Sequence, residues 1–120
     1  MKIRLPEIES GVMDPARSRV FYNEVLGPEI VHQHDHLAVF NSGVGGVDVN
    51  IAAHLAAKQI VTSYITDDLG AMIDILNAKS IPFRGPEPSH LGMRMIEFRD
   101  PDGFLIKVNE ATDESPEWLR

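Results

Sequence analysis

The stretch from Val31 to His36 (VHQHDH) carries three of the chain's five histidines at alternate positions. On an extended strand, residues two apart point to the same face. His32, His34 and His36 could therefore converge on one metal ion, because imidazole is a common ligand of zinc, copper and iron. A turn inside the stretch would break this alternation, so the elements that carry the histidines decide the question.

The composition is typical of a single soluble globular domain, with 120 residues that are 43% hydrophobic and 24% charged. The chain has no cysteine, which excludes disulfides, thiolate metal sites and cysteine nucleophiles. The formal net charge of −7 argues against a nucleic-acid partner, because such proteins carry basic patches. The sequence shows neither a secretory signal nor an apolar run long enough to cross a bilayer. We therefore expect a cytoplasmic protein with no membrane partner.

The first half of the chain predicts a strand, a helix and three short strands. The segment MKIRLPEIESGV is extended, and a helix follows with Asp14 as its N-cap, Pro15 at its first position and Gly27 at its end. The segments EIVHQH, HLAVF and GVDVNIAA are predicted strands.

These strands place Asp35 at a hairpin turn. His32 and His34 would then share one strand, whereas His36 would begin the next. This arrangement favours a solvated hairpin over a metal site.

The same order of elements recurs in the second half. QIVTSYIT predicts a strand, DDLGAMIDILNAKS predicts a capped helix, and IPFRG, MRMIEF and FLIKVNE predict three more strands. The last two strands are joined by a tight turn at RDPDG. Internal repetition decides architecture, so we predict an α+β fold of two βαβββ modules. Module one covers about 1–54 and module two about 58–110, followed by an acidic tail over 113–120.

Three segments together resemble the vicinal oxygen chelate superfamily, the group of glyoxalases, bleomycin resistance proteins and extradiol dioxygenases. DPARSRVFYNEVLG is similar to the family's first helix, YITDDLGAMIDILNAKSIPF to the opening of its second module, and IEFRDPDGFLIKV to its closing hairpin. The resemblance covers nearly the whole chain, as one domain over 1–112. It implies a glyoxalase-like mixed sheet that curls around a cavity, commonly in a homodimer.

Metal-binding members of this superfamily use up to four ligand positions, one on the first and one on the last strand of each module. The resemblance places these positions at Glu7, Asn50, Val61 and Lys107, with Ile60 as the alternative to Val61. A divalent ion needs several anionic or imidazole ligands to offset its dehydration. This set offers one carboxylate, one amide, one apolar side chain and one cation. We therefore expect no metal and no other cofactor.

The same positions predict a polar cavity with an acidic bias. Glu7 and Lys107 could lie within salt-bridge distance, in one chain or across a dimer. In such a pair the ammonium group would balance the carboxylate charge that a metal ion balances in other members. The alternative is that both residues arose by neutral drift after metal binding was lost. Asn50 is a candidate ligand-binding residue, and alternation along the strands adds Glu9, Asp48, Ser63 and Asn109. By the same alternation, Tyr64, Ile106, Val108, Val49 and Ile51 would face the helices.

His90 completes the candidate ligand contacts. It lies in the connection RGPEPSHLGM, which we expect to be a mobile loop overhanging the cavity. An acidic, polar cavity would suit a cationic or amine-bearing ligand.

These features predict a glyoxalase-like protein that binds a small organic molecule without the usual metal. It would either sequester the molecule or process it with side chains alone, and the sequence leaves open whether the protein is an enzyme or a binding protein. In an enzyme, Glu7 would be the catalytic base and Lys107 would stabilise an anionic intermediate. The alternative is a metal-dependent lyase, isomerase or dioxygenase with a relocated site that recruits histidines. A third class is a partner-binding or regulatory module.

Overall fold

The computed structural model describes residues 1–34, 36–43 and 45–120. Within them, two runs of strand, helix and three strands follow each other, so the predicted repeat and the mixed α+β fold are confirmed. The first run is β1 (Ile3–Gly11), α1 (Pro15–Phe21), β2 (Ile30–His34), β3 (Leu37–Asn41) and β4 (Asp48–Ala52). The second run is β5 (Ile60–Thr66), α2 (Leu69–Ala78), β6 (Arg84–Pro88), β7 (Arg94–Arg99) and β8 (Leu105–Glu110).

Short helical segments accompany these elements. A π-helix (Tyr22–Leu26) continues α1, and 3₁₀ helices occupy His90–Gly92 and Glu117–Leu119. Across the described residues, every helix is too short or too polar to cross a membrane.

The chain divides into two compact units, an N-terminal unit of residues 6–62 and a C-terminal unit of residues 1–5 and 63–120. In the N-terminal unit the strand order is β2-β3-β4-β1, with β1 parallel to β4 and the other pairs antiparallel. In the C-terminal unit the order is β5-β8-β7-β6, and β7 is antiparallel to both neighbours. The predicted module limits and the predicted tail stay predictions.

The helix α1 begins after the predicted N-cap Asp14, and α2 begins after Asp68, the second aspartate of the predicted helical segment DDLGAMIDILNAKS. The side chain of Asp14 accepts a hydrogen bond from the Arg17 N–H at 3.2 Å, and that of Asp68 accepts one from the Ala71 N–H at 2.9 Å. These bonds satisfy amide groups that have no partner within the first helical turn. Gly27 ends the π-helix with a φ of +85°, the left-handed conformation that a glycine adopts without strain.

Each unit buries apolar side chains between its helix and its strands. In the C-terminal unit, the fully buried cluster is Leu69, Leu76, Ile96 and Val108, and the half-buried Tyr64 and Ile106 pack against it. In the N-terminal unit, Phe40 and Ile51 are buried and Tyr22 packs on them. The predicted direction of Tyr64, Ile106, Val108 and Ile51 is therefore confirmed, because each lies against apolar residues on the helix side of its strand.

The strand β6 lies three residues further along the chain than predicted. The sequence places it at IPFRG, whereas Arg84–Pro88 forms the strand and pairs Arg84 with Glu97 and Pro88 with Arg94. Proline cannot donate to a sheet ladder, so Pro86 and Pro88 are unusual residues for a strand. However, β6 is an edge strand with a register irregularity, and prolines are tolerated at both places. The prediction of a long loop over RGPEPSHLGM is therefore wrong, because only residues 89–93 connect β6 to β7.

The histidine-rich stretch forms a hairpin. The strand β2 ends at His34, which pairs with Leu37 at the start of β3, and the exposed His36 lies between the two strands. The predicted separation of His36 from the other two histidines is thus confirmed, and Asp35, its predicted turn residue, lies outside the described residues. In the described part of the chain, no group of three or more His, Asp or Glu side chains is arranged to hold a metal ion.

Candidate functional site

In the N-terminal unit, the predicted site residues lie on two adjacent strands. The strands β1 and β4 run parallel, with Glu7 opposite Asp48 and Glu9 opposite Asn50. Asn50 and Glu9 are buried, Glu7 is half-buried and Asp48 is exposed. The Asn50 Nδ2–H donates a hydrogen bond to Glu7 Oε2 at 2.5 Å. Two of the four positions that the resemblance assigned to a metal are therefore joined to each other directly.

The other end of the Asn50 amide is unusual. Among the described residues, Asn50 Oδ1 is buried and has no hydrogen-bond partner. The orientation of the amide is set by its neighbour, because an Oδ1 turned towards the Glu7 carboxylate would repel it. A buried acceptor without a partner is unfavourable by about 1–3 kcal/mol, so this oxygen would be stabilised by any group that donates a hydrogen bond to it.

The remaining assigned positions do not complete a metal site. Val61 on β5 is apolar and only 2% exposed, and the alternative Ile60 is apolar as well. Lys107 on β8 is half-buried, and its ammonium would repel a divalent cation. The four positions therefore offer only two possible metal ligands, the Glu7 carboxylate, which already accepts the Asn50 N–H, and the Asn50 amide oxygen. This set of ligands does not fit the metal that the resemblance implies.

Lys107 has an acidic neighbour in the C-terminal unit. Its cross-strand partner on β7 is Glu97, and directly opposed residues lie on the same face of a sheet. Glu97 Oε2 forms a salt bridge with Arg84 Nη2 at 2.7 Å, and this hydrogen bond raises the pKa of Arg84. Glu7 belongs to the N-terminal unit and Lys107 to the C-terminal unit, and their predicted salt bridge stays a prediction.

A chain of hydrogen bonds in the C-terminal unit joins three further predicted residues. The buried Asn109 donates through Nδ2 to Ser63 Oγ and to the Tyr64 carbonyl oxygen, both at 3.1 Å. Ser89 Oγ donates to Asn109 Oδ1 at 3.0 Å and lies 3.2 Å from His90 Nδ1. We call Ser63, Asn109, Ser89 and His90 the Asn109 network. It runs from the fully buried Ser63 to the exposed His90.

The turn that carries His90 is fixed by hydrogen bonds to its backbone. The Ser89 N–H donates to the Met93 carbonyl at 2.8 Å, which closes the turn, and the Met93 side chain is buried. The Thr112 hydroxyl donates to the Gly92 carbonyl at 2.6 Å. The segment after β8 therefore helps to position the histidine.

A sequence-family comparison identifies the chain. The sequence model of the Glyoxalase/Bleomycin resistance protein/Dioxygenase superfamily matches residues 4–108. The chain belongs to this superfamily. No curated protein matches it.

Solved structures share the fold of this superfamily member at low sequence identity. One is a superfamily member from Vibrio splendidus 12B01, with 21% identity over 92% of this chain and 100% of that chain, at a TM-score of 0.70. Another is methylmalonyl-CoA epimerase from Mycobacterium tuberculosis, with 16% identity over 92% of this chain and 89% of that chain, at a TM-score of 0.70. A third is a hypothetical protein from Bacillus halodurans C-125, with 11% identity over 98% of this chain and 100% of that chain, at a TM-score of 0.73. At these identities the similarity concerns the fold alone.

The C-terminal unit of this superfamily member also has a cavity of about 820 Å³ that the sequence analysis did not identify. Its lining comes from the start of β1, the end of β5 and the segment after β8. Two acidic residues of the lining bind backbone amides: Asp67 accepts from the Lys2 N–H at 2.7 Å and Glu110 from the Leu69 N–H at 3.2 Å. The predicted site residues are not among its lining residues.

Proposed function

We propose that this superfamily member binds a small organic molecule that carries a hydrogen-bond donor, and that it does so without the superfamily's usual metal. The observation that carries the proposal is the buried Asn50 Oδ1, which lacks a partner among the described residues and lies beside the Glu7 carboxylate. A donor group on a ligand would relieve the cost of this unsatisfied acceptor. Because the neighbouring group is an anion, an ammonium or a polarised hydroxyl group suits the position better than a neutral amide.

The chemistry of the donor set supports the absence of a metal from this function. Glu7 accepts the Asn50 N–H, Val61 has no donor atom, and Lys107 is a cation. Side chains alone would then perform any reaction. Glu7 is the candidate general base, and Lys107 would stabilise an anion that forms on the ligand.

Binding and processing make different predictions for Glu7→Gln. If the protein processes its ligand, this variant should lose turnover while it still binds, because glutamine keeps an acceptor oxygen but cannot take a proton. A wild-type protein that returns the bound compound unchanged would instead be a sequestering protein. Unchanged turnover in the variant would exclude Glu7 as the base.

A thermal-shift screen of the full chain tests the proposed ligand class. The panel contains small amines, hydroxy acids, thiol conjugates and a CoA thioester, the last because methylmalonyl-CoA epimerase shares the fold. A compound that binds the native state raises the melting temperature by mass action. We expect the hits to be hydrogen-bond donors. Hits without any donor group would contradict the proposal.

The variant Asn50→Leu should weaken the binding of such a hit by about tenfold or more, because one buried hydrogen bond is lost. Isothermal titration calorimetry measures the dissociation constant. The matched control is Asn77→Leu, at an exposed position of α2, where we expect no change in affinity. Equal affinity in the wild type and in Asn50→Leu would exclude Asn50 as a ligand contact.

Metal removal should leave ligand binding intact. Elemental analysis of protein purified without an affinity tag should give zinc, nickel, manganese and iron well below one ion per chain. Dialysis against a chelator should not change the dissociation constant of the hit. A stoichiometric metal whose removal abolishes binding would favour the alternative, a metal-dependent enzyme with a relocated site.

A further inference from the structure

The orientation of the Asn109 amide is determined by a group that can only accept. Its Nδ2 lies 3.1 Å from the Tyr64 carbonyl oxygen, which has no proton to give. A reversed amide would set two oxygens against each other in a buried position, where such repulsion is strong. The Oδ1 atom of Asn109 must therefore be the atom that faces Ser89.

This orientation assigns the proton of the Ser89 hydroxyl group. Asn109 Oδ1 is an acceptor, so Ser89 Oγ donates to it at 3.0 Å. A serine hydroxyl has only one proton to donate and can accept through its lone pairs. The contact of 3.2 Å between Ser89 Oγ and His90 Nδ1 must then have the imidazole as its donor.

We propose that Ser89 is a positioning residue that holds His90 in the Nδ1–H tautomer, so that Nε2 is the basic nitrogen of the neutral ring. Asn109 acts behind Ser89, because its fixed amide decides where the serine proton points. The buried side of the Asn109 network thus determines the chemistry of an exposed imidazole. In a neutral histidine, the hydrogen bond made by one ring nitrogen decides which of the two nitrogens carries the proton.

This arrangement has two chemical consequences. Ser89 is not a nucleophile activated by His90, because the imidazole N–H donates a hydrogen bond to the hydroxyl oxygen and Nδ1 therefore cannot accept the hydroxyl proton. Nε2 is then the acceptor nitrogen of the neutral ring, so it could take part in ligand binding only by accepting a hydrogen bond or a proton. The second consequence rests on the proposed function, whereas the tautomer itself does not.

Nitrogen NMR of the ligand-free full chain tests the tautomer. The protein is labelled with ¹⁵N-histidine, and long-range ¹H–¹⁵N correlations are recorded at about pH 8.5, where the neutral ring predominates. His90→Gln identifies the signals of His90. We expect a pyrrole-type shift for Nδ1 and a pyridine-type shift for Nε2. The opposite pair of shifts, or two protonated nitrogens, would overturn the proposal.

Two variants separate positioning from a general structural role. In Ser89→Ala the Nδ1–H form should fall from nearly all of the population to a minority, because free histidine in water prefers the Nε2–H form. Ser89→Thr keeps the hydroxyl group and should restore the wild-type shifts. Identical shifts in the wild type and in Ser89→Ala would overturn the role of Ser89. Because no ligand is added, a failure here is distinguishable from a failure of the proposed function.

Discussion

Replacement of Asn109 with alanine is expected to lower the free energy of unfolding by about 3 kcal/mol. The side chain is only 2% exposed and makes hydrogen bonds with Ser63, Tyr64 and Ser89. Alanine removes these bonds and leaves the Tyr64 carbonyl without its side-chain donor, which costs about 1–3 kcal/mol for each buried group left unsatisfied. The missing atoms also leave a cavity that the neighbours fill only in part. Urea unfolding followed by circular dichroism measures the difference.

The control for this prediction is Asn77→Ala. Asn77 is exposed on α2, and we expect its replacement to change the free energy by no more than about 0.5 kcal/mol. The Asn109→Ala variant also tests the proposed His90 tautomer, because without Asn109 the Ser89 hydroxyl can turn and donate to His90. Equal unfolding midpoints for the two variants would show that the Asn109 network contributes nothing to stability.

Replacement of Ile96 with alanine should lower the free energy of unfolding by about 4 kcal/mol. Ile96 lies at the centre of β7, has no exposed surface, and belongs to the cluster with Leu69, Leu76 and Val108. Truncation of a fully buried isoleucine combines the loss of burial with the cost of a cavity, and such changes cost about 2–5 kcal/mol. The cluster joins α2 to β7 and β8, so we expect the whole C-terminal unit to lose stability.

Ile75→Ala is the matched control, since it removes the same atoms from a side chain that is 42% exposed on α2. We expect a loss of about 1 kcal/mol or less, because little burial is lost and alanine favours the helix. Chemical denaturation of both variants gives the comparison. A loss in Ile96→Ala as small as that in Ile75→Ala would contradict the assignment of Ile96 to the core.

Local sequence signals predicted the elements well, because each depends on neighbouring residues. Asp14 and Asp68 cap their helices through amides three residues away, and a distance of three residues is visible in a sequence. The alternation of side chains predicted which residues of β5 and β8 face the helix. The position of β6 was wrong because its prolines are acceptable only at an edge, and strand order is a property of the whole sheet.

The resemblance grouped Glu7 with Asn50, and the structure joins this pair by a hydrogen bond. Alternation added Ser63 and Asn109 to the candidate residues, and these two are hydrogen-bonded as well. Neither signal could predict the role of Ser89, whose partner is 20 residues away along the chain. The cavity in the C-terminal unit was missed as well, because its lining comes from three separate segments that share no motif.

The prolines of β6 have a consequence for how copies of this chain behave in solution. A sheet edge with free N–H and C=O groups can add a strand from another molecule, which is a common route to aggregation. Pro86 and Pro88 remove donors from this edge, and Arg84 and Glu87 place charges on it. In the N-terminal unit, β2 is an edge strand, and it has no proline. Self-association through strand addition should therefore occur at β2, while β6 resists it.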